Sequence, residues 1–163
     1  MKRRIFSAAI LLSLAGVIMA LADDFNEHFL AASCTGRNLK IVNTPNGPAV
    51  ESATGNPGTT VLYCNVDAED TNYFNWIQLI AEDDTPNGSI TASLYQQDLN
   101  GGGPVLLRSV STTDQAGIQV ASKFVNGFSL NEYSYHYYIT ITLTRTAAGG
   151  TLRAYAASIM DVL

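Results

Sequence analysis

Between Tyr133 and Arg145 the side chains alternate between two classes with a period of two. One set is large and apolar, and consists of Tyr135, Tyr137, Ile139, Ile141 and Leu143; the other is polar, and consists of Ser134, His136, Tyr138, Thr140, Thr142 and Thr144. Successive residues of a β-strand point to opposite faces of a sheet, so this pattern predicts a strand with one buried face and one exposed face. We therefore expect a central strand of an antiparallel sheet, with its threonines exposed.

The rest of the chain contains further short segments of strand character, separated by turns rich in Gly, Pro and Asn. These segments are 39–42, 59–66, 73–81, 89–97, 105–111, 117–124 and 151–159. About eight strands at this spacing, with no helical periodicity among them, are typical of an all-β domain. The sequence predicts an antiparallel β-sandwich of jelly-roll type, and a small closed β-barrel is the alternative.

Three local expectations accompany this fold. The segment 73–81 is partly apolar on both faces, so we expect it to be buried on both sides or to lie at a seam, with Trp76 in the interior. Asn126 and Gly127 match a tight turn. Phe25, Phe29 and Leu30 are spaced to form one helical turn against the body of the domain.

The N-terminus has the pattern of a secretory signal peptide. A basic start at residues 2–4 precedes an apolar run at 5–19, and Ala20-Leu21-Ala22 then gives the small residues that signal peptidase requires. We expect residues 1–22 to be removed and residues 23–163 to form a single secreted domain, extracellular or periplasmic. An uncleaved anchor and a lipoprotein attached through Cys34 are the less favoured alternatives.

The charge balance excludes two classes of partner. The chain has 9 Lys and Arg against 14 Asp and Glu, and loss of Lys2, Arg3 and Arg4 leaves 6 against 14. Nucleic acids and anionic membrane surfaces both require clustered basic side chains. We therefore expect neither as a partner, and no membrane insertion after signal cleavage.

The mature chain has two cysteines, Cys34 and Cys64. In an oxidising compartment a lone pair most often forms one disulfide. Closing a loop of this size would stabilise the fold by about 3–4 kcal/mol in the chain-entropy model.

Several of these segments together resemble a group of uncharacterised secreted bacterial β-sandwich proteins. The resemblance is carried by the run Gly88–Gln96, the Gly-rich loop after it, and the runs Leu107–Ser111, Tyr133–Leu143 and Leu152–Ile159, and it covers about Phe74 to Ile159. It implies a secreted β-sandwich, but no activity and no functional residues.

Candidate chemistry is sparse. His136 lies on the polar face of its strand, His28 lies in the N-terminal arm, and the chain has no Gly-x-Ser-x-Gly nucleophile motif. Acidic residues in predicted turns could pair for glycoside hydrolysis or bind calcium through their oxygens; they are Asp67, Glu69, Asp70, Glu82, Asp83 and Asp84. Calcium is the one cofactor for which the sequence offers candidate ligands.

Aromatic side chains offer a surface on which sugar rings could stack. The candidates are Tyr63, Tyr73, Trp76, Tyr95, Tyr133, Tyr138 and Tyr155. Most of them match the buried side of a strand, whereas Tyr95 and Tyr138 fall on polar faces and are the predicted ligand contacts.

Taken together, these features favour a secreted, non-enzymatic interaction or assembly domain that contacts protein, either itself or another, or glycan. A carbohydrate-binding module is the alternative, and a small extracellular hydrolase is the third hypothesis.

Overall fold

The computed structural model describes residues 26–37, 39–52, 57–67, 74–113 and 115–161. The predicted signal peptide, its cleavage site and the segment that contains Glu69, Asp70 and Tyr73 lie outside these residues. Within the described ranges, no helix has the length and hydropathy needed to cross a membrane.

The described part of the chain forms eleven strands. They are β1 (Asn26–Leu30), β2 (Thr35–Gly36), β3 (Leu39–Thr44), β4 (Gly47–Ser52), β5 (Gly58–Asn65), β6 (Phe74–Asp83), β7 (Gly88–Asp98), β8 (Val105–Ser111), β9 (Ile118–Phe128), β10 (Tyr135–Arg145) and β11 (Leu152–Met160). A single 3-10 turn at Ala31–Ser33 separates β1 from β2.

The strands form two antiparallel sheets. The six-stranded sheet has the order β3-β4-β11-β6-β9, with β1 also paired to β11. The five-stranded sheet has the order β2-β5-β10-β7-β8. The sheets pack face to face around one apolar core and do not close into a barrel. The predicted β-sandwich is therefore confirmed.

The strand predicted at the centre of a sheet is β10, which pairs with β5 on one side and β7 on the other. Its apolar face lies in the core: Ile139, Ile141 and Leu143 are 0% exposed. Thr140, expected to be exposed, is buried, because Tyr63 and Ser93 flank it directly on the neighbouring strands. Thr142 and Thr144 are half-buried.

The disulfide between Cys34 and Cys64 is present, with a Cα–Cα distance of 4.7 Å. It links the residue before β2 to the buried face of β5, since Cys64 is 3% exposed. The two-residue strand β2 pairs with Tyr63 and Leu62 beside this link. The cross-link thus helps to hold this short strand against the edge of the five-stranded sheet.

At several places the pairing of strands that are distant in sequence gives a structure that differs from the one the local sequence predicts. The predicted helical turn near Phe29 is strand β1, because residues 26–30 pair with the C-terminal half of β11. Strand β4 lies between the predicted segments 39–42 and 59–66, where the sequence indicated no strand, and it pairs with β3. β9 continues through Asn126 and Gly127 instead of turning there, and pairing irregularity between Phe74 and Trp76 lets it reach Phe128.

Trp76, expected in the interior, is half-buried on the outer face of the six-stranded sheet. Ile77 and Leu79 take the core positions of β6, and Trp76 instead pairs with Phe124 at an edge-to-face distance of 5.5 Å.

Candidate functional site

Three tyrosines from three adjacent strands meet on the outer face of the five-stranded sheet. Tyr138 on the central strand β10 lies directly opposite Tyr95 on β7, with ring centroids 5.4 Å apart and planes at 15°. On its other side Tyr63 of β5 lies diagonally across, at 6.2 Å and 44°. Two nearly parallel rings at the shorter distance form an offset stack. We call Tyr63, Tyr95, Tyr138 and His136 the aromatic cluster.

His136 completes the cluster two residues before Tyr138. Its ring lies 6.0 Å from that of Tyr138 at 26°, and it is exposed. Residues two apart on a strand share a face, which explains why both rings point outward. Tyr138 is therefore flanked by three rings, whereas Tyr63, at 52% exposed, offers the largest accessible ring area among the tyrosines of the cluster.

A shallow depression lies beside this cluster. It has a volume of about 320 Å³ and is lined by Thr35, Tyr63, Cys64, Asn65, Gln97, His136 and Tyr138. Thr35 reaches it because β2 is paired to β5, where the Thr35 hydroxyl donates a hydrogen bond to the carbonyl oxygen of Tyr63 at 3.3 Å. The disulfide therefore supports one wall of the depression.

The lining of the depression is polar, and the described residues in it include no Asp, Glu, Lys or Arg side chain. Asn65 and Gln97 supply amide donors and acceptors, and Thr35 supplies a hydroxyl. Burial raises the pKa of Tyr138, and the neighbouring Tyr95 and Tyr63 add to the rise. The Tyr138 phenol therefore remains protonated and can donate a hydrogen bond.

The turn acids predicted to bind calcium are divided among different surfaces. Glu82 lies on the outer face of the six-stranded sheet, where it accepts hydrogen bonds from Arg153 at 3.2 Å and from the Tyr155 hydroxyl at 3.0 Å. Asp83 is 1% exposed and accepts a hydrogen bond from the Thr112 hydroxyl at 2.6 Å, and Asp84 is exposed. Strand alternation separates these consecutive acids.

Asp67 lies beside a carboxylate that sequence reasoning missed. Glu27 on β1 accepts a hydrogen bond from the backbone N–H of Asp67 at 3.0 Å, and its other oxygen, Oε2, is buried with no partner among the described atoms. Burial raises the pKa of Glu27 to about 7. In the described ranges no three His, Cys, Asp or Glu side chains are grouped as metal ligands, and Glu69 and Asp70 lie outside those ranges. Calcium binding stays a prediction.

The other aromatic candidates do not join the cluster. Tyr155 is buried and hydrogen-bonded to Glu82, and Tyr133 lies in a turn and is 90% exposed. The two predicted ligand contacts, Tyr95 and Tyr138, lie together on the outer face of the five-stranded sheet. Sequence reasoning did not single out Thr35, Asn65 and Gln97, because which strands are neighbours cannot be deduced from the period of alternation.

Comparison with known proteins gives structural neighbours only. No family model and no curated protein matches the sequence. A β-1,3-glucan binding CBM6 from Bacillus halodurans is similar with a TM-score of 0.56 at 14% identity, covering 83% of this chain and 96% of that one. The C-terminal CBM6 of LamC, a marine laminarinase from Zobellia galactanivorans, gives 0.55 at 11%, covering 84% and 100%.

Some neighbours are parts of larger enzymes. An isomalto-dextranase from Arthrobacter globiformis has a TM-score of 0.53 at 11% identity, over 82% of this chain but only 23% of the enzyme. Identities this low establish a shared β-sandwich fold and nothing further. The resemblance to uncharacterised secreted proteins is supported in its fold, but no sequence match supports that particular group.

Proposed function

We propose that this protein is a secreted, non-enzymatic carbohydrate-binding module, and that a glycan binds across the aromatic cluster and into the depression beside it. The observation that carries the proposal is the arrangement of Tyr63, Tyr138 and His136 around a recess lined by amide and hydroxyl groups. The apolar face of a sugar ring packs against an aromatic ring, while its hydroxyls need donors and acceptors at the edge of that contact.

The position of each group suits this ligand. Tyr63 presents an accessible ring on one wall, and Asn65 follows it by two residues on the same outward face of β5. Gln97 lies opposite His136 on the other wall. A sugar in the recess would therefore contact a ring and have amides within reach on two sides.

The charge of the site selects among glycans. None of the described residues that line the recess is Asp, Glu, Lys or Arg, and the mature chain carries an excess of acidic residues. Polyanionic polysaccharides would be repelled by the protein's net charge and would find no basic partner. We therefore assign the site to uncharged polysaccharides. The naming of a structural neighbour as β-1,3-glucan binding makes that polymer the first one to test.

The test is a titration of the mature protein with soluble neutral oligosaccharides, with a sulfated polysaccharide as the charged comparison. Tyr63→Ala should weaken binding by about tenfold or more, which is about 1.4 kcal/mol, because it removes the accessible ring. Tyr133→Ala is the matched control, since this tyrosine is exposed and is not among the residues that line the recess. Equal effects of the two substitutions would refute the assignment.

A hydrolase is disfavoured by the same geometry. Among the described residues no Asp or Glu lines the recess beside His136, so this part of the chain supplies neither a carboxylate pair nor an acid that orients the imidazole. Incubation of the protein with each bound glycan should release no reducing ends. Turnover that is lost in His136→Ala would overturn the non-enzymatic proposal.

A further inference from the structure

The outer face of the five-stranded sheet continues beyond the aromatic cluster as an array of hydroxyl groups. On β10, Thr142 and Thr144 lie on the same face as the cluster, further along the strand, and both are half-buried. Thr91 and Ser89 of β7 lie directly opposite them. On the far side of β7, Ser111 of β8 lies opposite Thr91, with the two hydroxyl oxygens 2.7 Å apart. We call these five residues the hydroxyl face.

The hydroxyl groups of this face are available to a ligand. Those of Thr142, Thr144 and Ser89 make no hydrogen bond to another residue in the part of the chain that the structure describes. Those of Thr91 and Ser111 bond to each other at an exposed position. A hydroxyl group has one donor and two acceptor positions, so even this pair keeps hydrogen-bonding capacity. The hydroxyl groups of a sugar have the same donors and acceptors, and the two sets can therefore pair.

No Asp, Glu, Lys or Arg side chain points outward from the three central strands of this sheet, β5, β10 and β7, all of which lie within the described ranges. The outer face of the six-stranded sheet differs, because Arg153 lies there between Glu51 at 3.5 Å and Glu82 at 3.2 Å. The mature chain as a whole carries an excess of acidic residues. The lack of charge is therefore specific to this face, and it suits an uncharged ligand that is rich in hydroxyl groups.

The dimensions of the face indicate how such a ligand lies on it. From His136 to Thr144 the face measures about 27 Å along β10 at the rise of an antiparallel strand, whereas β5 and β7 are only about 10 Å apart on either side of β10. The recess lies at the His136 end. We infer that the hydroxyl face extends the proposed glycan site, so that the whole site takes an internal segment of an uncharged polysaccharide lying along β10. This inference rests on the proposed function and names the form of the glycan.

The extension makes affinity depend on the length of the glycan. A short oligosaccharide fills the recess and contacts its rings and amides, whereas a longer one adds hydrogen bonds to the hydroxyl face. Each added bond replaces a bond to water and contributes only modestly, so affinity rises gradually with length. Thr144 lies about 20 Å along the strand from Tyr138, so a small change of side chain there does not reach the recess. The two parts of the site can therefore be tested separately.

Calorimetric titration of the mature protein with β-1,3- and β-1,4-linked glucose oligosaccharides, from the disaccharide to the octasaccharide, tests the extension. The octasaccharide should bind about tenfold more tightly than the trisaccharide. A double variant, Thr142→Val with Thr144→Val, removes two hydroxyl groups but keeps branched side chains of similar shape. It should bind the trisaccharide as the wild type does and lose most of the gain with length. The matched control is Ser122→Ala, which removes an exposed hydroxyl from the outer face of the six-stranded sheet and should change neither affinity.

Two results would overturn the extension and leave the proposed function standing. Equal affinities for the trisaccharide and the octasaccharide would confine the site to the recess. A gain with length that persists in the double variant would have the same meaning, because a longer chain also offers the recess more equivalent positions to bind. If no oligosaccharide of any length binds, the proposed function fails together with the extension. Thermal melts check that the variants are folded before their affinities are compared.

Discussion

Replacing Ile141 by Ala should destabilise the domain by about 3–4 kcal/mol. Ile141 is 0% exposed at the middle of β10, and it lies opposite Leu62 and Ala92, which are also fully buried. The substitution removes three carbon groups at about 0.8 kcal/mol each, and the two flanking strands are held by main-chain pairing and cannot close the cavity completely. For a domain of this size the loss corresponds to a fall in Tm of about 10–15 °C.

Urea unfolding followed by far-ultraviolet circular dichroism measures this loss directly. The matched control is Thr142→Ala, the next residue on the same strand, whose half-buried side chain faces outward. It should cost a few tenths of a kcal/mol. Equal losses for the two variants would mean that the faces of β10 are assigned the wrong way round, and the aromatic cluster would then be buried.

Three further predictions follow from other parts of the molecule. Burial raises the pKa of Glu27 to about 7, so the folded state binds a proton at this carboxylate more tightly than the unfolded state does. The free energy of unfolding should therefore fall as the pH rises from about 4.5 to 7. Glu27→Gln should flatten this pH dependence in thermal melts with a chelator present. An unchanged slope would contradict the burial of that carboxylate. Reduction of the Cys34–Cys64 disulfide should lower stability by about 2–4 kcal/mol and weaken glycan binding, since it frees the wall that carries Thr35; binding that is unaffected after reduction would argue against this wall. N-terminal sequencing of exported protein should begin at Asp23, and an intact Met1 would refute the cleavage prediction.

Much of the fold could be predicted from alternation alone. The period of two in β10 identified which side chains enter the core, because a strand leaves no other arrangement once one face is apolar. The same reasoning placed Ile90, Ala92 and Leu94 of β7 inside. The disulfide was predicted because the mature chain offers a single pair of cysteines.

Elements that depend on distant partners were not predictable. β1 is a strand because β11 provides its hydrogen bonds, and its five residues carry no clear alternation of their own. Trp76 lies on the outside because Ile77 and Leu79 occupy the core face of β6, and sequence alone does not distinguish the two partly apolar faces of this strand. No local signal reports either fact.

The candidate site, too, could be predicted only in part from the sequence. Alternation predicted that Tyr95 and Tyr138 point outward, and they do. It could not show that β5 is the other neighbour of β10, which brings Tyr63 and Asn65 to the site. Sequence also gave no reason to associate Thr35 with these residues, because its position depends on the pairing of β2 with β5 beside the disulfide.

Titration of ¹⁵N-labelled protein with a soluble neutral oligosaccharide tests, residue by residue, whether a neutral glycan binds the recess beside the aromatic cluster. Chemical-shift changes should be concentrated at Thr35, Tyr63, Asn65, Gln97, His136 and Tyr138, with the Trp76 indole signal unmoved. Chemical-shift changes centred on Trp76 and Phe124, or on the loops that follow Asp83 and Arg145 at the other end of the sandwich, would show that the glycan does not bind in the recess.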